Sequence, residues 1–153
     1  MATTGSPELD GFIARYTPEI AAQAHAAIAK MQVRLPSATV LVYDNYNALA
    51  VAFAADEKVG DVILSITVYP RWVTLFFMWG TKLDDPHNLL EGGGNQIRSV
   101  RLTGPDMLDD PRVAALIADA VAKADPPIDR HATGKIIIKS ISAKQRPRRP
   151  VGG

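Results

Sequence analysis

The chain has 153 residues and no cysteine. Disulfide scaffolds, thiolate metal sites and cysteine nucleophiles are therefore excluded, and the composition suits a reducing compartment. Histidine is almost as scarce. His25, His87 and His131 share no metal-ligand spacing such as His-x-x-x-His, and each reads as a surface residue. No apolar run approaches the roughly 18 residues of a membrane span. The N-terminus Met-Ala-Thr-Thr-Gly-Ser shows no basic region followed by an apolar stretch. The expected location is cytoplasmic. The Gly-x-Ser-x-Gly nucleophile elbow is missing, and the run Gly92-Gly93-Gly94 enters a strand rather than a helix, unlike a phosphate loop. No residue set argues for an enzyme, no cofactor is indicated, and ligand, partner and oligomeric state stay open.

What is present describes one folded domain. Hydrophobic residues make up 47% and charged residues 22%, which is too apolar for disorder and enough to bury a core. The net charge of +1 hides an uneven distribution. From Arg130 onward the chain carries seven basic residues and no acid, so the remainder is an acidic body of net charge −6. Residues 1–10 read as a flexible N-terminus, 11–143 as a single domain, and 144–153 as a basic Pro/Arg tail.

Thr17-Pro18 opens the first long helix, because threonine caps and proline at the first helical position loses no needed N–H. Ile20, Ala24, Ala27, Ile28, Met31 and Leu35 fall within one core-facing arc. The back of that helix is a strip of small residues, Ala22, Ala26, Ala29 and Val33, suited to open surface or to a helix–helix contact. From Ser37 the period becomes that of strands: 39–43, 48–55, 62–69, 72–79 and 96–102. Their short links imply an antiparallel meander. Asp110-Pro111 opens a second core helix, with Val113, Leu116, Ile117, Ala120 and Ala124 on its stripe, and 135–143 forms a last strand. The expected fold class is α+β, a two-layer sandwich of an antiparallel sheet of about six strands with two main helices on one face.

Candidate sites follow from that frame. On the sheet face opposite the helices, Tyr43, Asn45, Ser65, Thr67, Tyr69, Arg98 and Arg101 form a polar and aromatic set suited to a small polar or anionic ligand. Trp72, Phe76, Phe77 and Trp79 are assigned to the core. Asp84, Asp85 and His87, with Asp44, offer oxygen and nitrogen ligands for a divalent cation. Asp85-Pro86 equally fits the cap of a short helix through Leu90. The tail cations Lys144, Arg146, Arg148 and Arg149 suit phosphate or an acidic surface. They lack the stacking platform or reading helix of a nucleic-acid domain, so folding back on the acidic body is favoured over nucleic-acid binding.

At Tyr43-Asp44-Asn45-Tyr46-Asn47-Ala48-Leu49, Tyr69-Pro70-Arg71-Trp72-Val73-Thr74-Leu75-Phe76-Phe77 and Ser140-Ile141-Ser142-Ala143-Lys144-Gln145-Arg146-Pro147-Arg148-Arg149-Pro150, the chain resembles bacterial proteins of the YdhG-like family, a domain-of-unknown-function family. The resemblance covers roughly residues 10–150 and implies a frataxin-like sandwich. Some relatives are regarded as intracellular iron chaperones, and in frataxin-like proteins iron meets a carboxylate-rich ridge on the first helix and adjoining strand. Residues 17–35 hold one acid here, Glu19, against Lys30 and Arg34, a departure from that ridge. The expected function is a non-enzymatic binding or accessory module for a small polar or anionic ligand or a partner. The alternatives are a frataxin-type iron or divalent-metal chaperone and a nucleic-acid binder acting through the tail.

Overall fold

Proline sets the start of each helix. In the computed structural model, which describes residues 2–150, α1 (Pro7–Ala14), α2 (Pro18–Arg34) and α3 (Pro111–Ala122) all begin directly after an oxygen-bearing cap. The Ser6 and Thr17 hydroxyls accept the N–H of Leu9 and Ile20, each at 3.3 Å, and the Asp110 carboxylate accepts that of Arg112 at 2.9 Å. The cap before α1 also ties down the N-terminus. Asp10 reaches back to accept the Thr4 N–H at 2.8 Å and the Thr3 hydroxyl at 2.7 Å, and Thr4 and Ser6 are buried. The flexible segment expected over residues 1–10 is thus packed from Thr4 and helical from Pro7.

Six strands follow the alternation in the sequence closely: β1 (Thr39–Asp44), β2 (Leu49–Ala54), β3 (Val62–Val68), β4 (Val73–Phe77), β5 (Arg98–Leu102) and β6 (Ile136–Ile141). They form one sheet in the order β5-β4-β3-β2-β1-β6. Strands β1 to β5 make the expected antiparallel meander. The sixth corrects the expectation, because β6 pairs with β1 in parallel and the sheet is mixed. The reason is the length of the last link. After four reversals β5 runs in the direction of β1, and the chain returns across the sheet through α3. A helical return adds two reversals, one into the helix and one out of it, so β6 runs parallel to β5 and hence to β1. Its entry is tight: a Cβ on Gly134 would stand 2.4 Å from the Pro36 carbonyl oxygen, so only glycine fits without a shift.

Both helix stripes pack on the same sheet face. Ile28 and Leu116 belong to one buried cluster with Val42, Val51, Ile66, Leu75 and Val100 from five strands. Between α2 and α3 sits the short turn Pro105–Asp109. Arg34 donates to the Leu108 carbonyl at 2.7 Å, and Lys30 pairs with Asp109. On the small-residue back of α2, Ala22, Ala29 and Val33 are exposed and Ala26 is half-buried; Ala115, Ala118 and Ala122 on α3 are exposed.

Because Ile28 is fully buried, Ile28→Ala should lower unfolding free energy by about 2–5 kcal/mol in urea titration. Exposed Glu19 near the start of α2 should cost less than about 1 kcal/mol when changed to Gln.

Candidate functional site on the helix-free sheet face

Side chains alternate along strands, so the register fixes what the helix-free face displays. One row across the sheet reads Ser140, Tyr43, Ala50, Thr67, Thr74, Arg101. The next reads Ile137, Leu41, Ala52, Ser65, Phe76, Ser99. The face is paved mainly with small and hydroxyl-bearing residues, with aromatics standing among them. The Ser65 and Thr67 hydroxyls bond each other at 3.0 Å, and both residues are buried. The Tyr43 hydroxyl is buried without a partner, and burial pushes its ionisation upward.

Tyr43, Ser65, Thr67 and Arg101 are therefore brought onto one face, with Tyr69 just past β3. Arg98 is not. It shares the parity of Val100 and Leu102, which point into the helix layer, and its guanidinium donates to the carbonyls of Gly93, Gly94 and Ile97. Two residues three apart on an unbulged strand cannot share a face, which removes Arg98 from the set. The same bonds show the glycine run offering carbonyl oxygens to a cation. Arg101 lies with its guanidinium 4.2 Å from the Trp72 ring centroid, and Trp72 packs against Tyr69 at 5.6 Å. Of the four aromatics assigned to the core, only Phe77 is buried. Trp72 and Phe76 are half-buried, and Trp79 is 48% exposed.

A shallow hollow of about 500 Å³ opens at the β1–β2 turn end of this face. Ala50 and Thr67 line it from β2 and β3, and the turn contributes Asn45, Tyr46, Asn47 and Ala48. Tyr69, Phe76 and Ser142 complete the lining. Among the described residues no charged side chain lines it. The sequence reading named Asn45, Thr67 and Tyr69 but missed the rest. Phe76 is assigned to the core from its sequence, and Ser142 comes close through a pairing 98 residues distant from Asp44, whose carbonyl accepts the Ser142 N–H at 2.9 Å.

Two of the nominated metal ligands, Asp44 and Asp85, are spent elsewhere. Asp44 is 1% exposed, and its carboxylate accepts from Arg148 at 2.9 Å, Arg15 at 3.3 Å and the Gln145 amide at 2.9 Å. Asp85 accepts the N–H groups of Leu89 and Leu90, each at 2.9 Å, four and five residues on instead of the two or three of a helix cap, so the expected capped helix is replaced by a turn. Asp84 and His87 are exposed and line a separate cleft with Asp85 and Arg112. Among the described residues no three His, Asp or Glu side chains converge to hold an ion.

The tail folds back, through one buried contact more than through general attraction. Arg148 is 3% exposed and donates to Asp44 and to the carbonyls of Asn45 and Tyr46. The Arg146 N–H donates to the Tyr46 carbonyl at 2.8 Å, and Arg149 donates to the Arg15 carbonyl at 3.1 Å. Lys144 is exposed. Compared with protein-family models, curated proteins and solved structures, the chain matches none.

Beneath Arg148 lies Tyr16, whose buried hydroxyl donates to the Val68 carbonyl at 2.7 Å and accepts the Leu49 N–H at 3.2 Å. Burial pushes its ionisation up to about 12. A phenol raised above its unfolded value near 10 favours folding fully below pH 10, and that contribution is lost as pH climbs toward 12. Phenolate absorbance and near-ultraviolet circular dichroism recorded together should show Tyr16 ionising only with unfolding. Subtracting the Tyr16→Phe curve isolates it, and a free titration near pH 10 would contradict the burial.

Proposed function

We propose that the protein is a non-enzymatic binding or accessory module that takes a small polar ligand in the hollow at the turn end of its helix-free face. The observation that carries this reading is the lining itself. Amide, hydroxyl and aromatic groups meet over a floor of small side chains, with no fixed charge among them. Aromatic faces accept the C–H side of a ring, while amides and hydroxyls exchange hydrogen bonds with its polar rim. A neutral, hydroxyl-rich ligand suits such a surface better than an anion, because Arg98 faces away and Arg101 is stacked on Trp72. The YdhG-like, frataxin-type assignment accompanies this proposal on the element order of helices, five-stranded meander, helix and strand. The parallel β6 departs from an all-antiparallel sheet.

The divalent-metal alternative draws no support from the nominated residues, since Asp44 is held by cations, Asp85 by two backbone N–H groups, and among the described residues no three such side chains converge. Nucleic-acid binding through the tail has less charge to use, because Arg148 is committed internally while Lys144, Arg146 and Arg149 stay at the surface.

The test is an amide-resolved NMR titration with neutral monosaccharides and polyols beside inorganic phosphate. Shifts should cluster at Asn45, Asn47, Thr67 and Tyr69 with a neutral ligand. Asn47→Ala, on an exposed turn, should weaken binding about tenfold, a change of ~1.4 kcal/mol, without moving the melting temperature. Response to phosphate alone, or no response in the hollow to any neutral compound, would overturn the reading.

A further inference from the structure

The contact made by Arg148 is unlike an ordinary surface ion pair. Its side chain is 1% exposed, as is that of Asp44. The guanidinium nitrogens meet three acceptors of different origin: one Asp44 carboxylate oxygen and the successive main-chain carbonyls of Asn45 and Tyr46. The Tyr16 ring stands 5.9 Å from the guanidinium carbon. A planar fork spreads its donors over two terminal nitrogens to reach such a set, whereas an ammonium has to reach all three acceptors from a single nitrogen. Among the described residues the Arg148 Nε has no partner, so recognition lies at the terminal nitrogens. The neighbouring Pro147, Arg149 and Pro150 are exposed, so Arg148 is the side chain of this segment that the body encloses.

We propose that this end of the sheet is a guanidinium-binding socket, filled in cis by Arg148, and that its occupancy fixes the β1–β2 turn. Two of its three acceptors are the backbone carbonyls of Asn45 and Tyr46, in the turn that borders the hollow. The Arg146 N–H clamps the Tyr46 carbonyl from the same tail, and its guanidinium lies 5.7 Å from the Tyr46 ring. Inside the turn, the Asn45 N–H closes on the Ala48 carbonyl at 3.0 Å. A cation withdrawn from the socket leaves Asp44 facing Arg15 and Gln145 alone and frees the two carbonyls from their donor. The ligand class is an alkylguanidinium. When the native side chain is absent, any guanidinium small enough to reach the three acceptors should take its place. This inference is independent of what the hollow binds.

The experiment uses the full chain carrying Arg148→Ala. Its melting temperature should fall below that of the unaltered protein, and the amide signals of Asn45, Tyr46 and Asn47 should shift. Methylguanidinium should restore both saturably at about millimolar concentration, whereas methylammonium should not. With Asp44→Asn added, the rescue should disappear. Arg148→Lys guards against a variant that fails to fold: it keeps charge and reach, yet should melt lower and show the same turn shifts. Equal stabilisation of Arg148→Ala and the unaltered chain by methylguanidinium would overturn the proposal. So would wild-type behaviour of Arg148→Lys, or turn amides indifferent to residue 148.

Discussion

A buried carboxylate at the C-terminal end of β1 joins parts of the chain that are otherwise remote. Asp44 receives Arg15 from the end of α1 and both Gln145 and Arg148 from beyond β6. Removing one partner of such a pair is expensive because the other charge stays buried, commonly about 3–5 kcal/mol, even where the pair adds little over a well-packed apolar alternative. Geometric specification is the greater consequence. The Gln145 amide nitrogen donates to the Asp44 carbonyl at 3.0 Å as well as to its carboxylate, while its oxygen accepts from Arg15 at 2.7 Å. One side chain thus ties main chain, carboxylate and helix end together, with Tyr16 sealing the junction from below.

The helix-free face inherits its shape from this junction. Tyr43 precedes the carboxylate, and Asn45, Tyr46 and Asn47 follow it into the turn beside the hollow. Alternation then decides which side chains share the surface, and antiparallel register decides which neighbours they meet. The hydroxyls of β3 end up beside the alanines of β2, with Thr74 of β4 next to Thr67, while Arg101 is carried outward to Trp72. The polar character of the face and the neutrality of its hollow share one origin. The cations that would have charged it are either stacked on an aromatic ring or turned to the other side of β5.

Much of this was legible in sequence, for local reasons. Thr17-Pro18 and Asp110-Pro111 announced two helices because cap and proline act over three residues. The alternation of Val62 to Val68 announced a strand, and the stripe from Ile20 to Leu35 announced a core face. The failures concern non-local pairing. Nothing near Ile136 reveals that β6 lies beside β1, because that depends on the direction left after five strands and a helix. Asp44 resembled a metal ligand because its true partners, Arg15 and Arg148, lie 29 and 104 residues away. Arg98 was the exception: strict period-two counting from Val100 would have excluded it at once.

The central claim is that Asp44 and Arg148 act as one unit. It is tested most directly by a double-mutant cycle on unfolding free energy, with Asp44→Ala, Arg148→Ala and both together. A buried, hydrogen-bonded pair predicts a coupling of about 1.5 kcal/mol or more, with the double variant far closer to either single variant than additivity allows. A coupling below about 0.5 kcal/mol, the value of an exposed surface pair, would contradict the account.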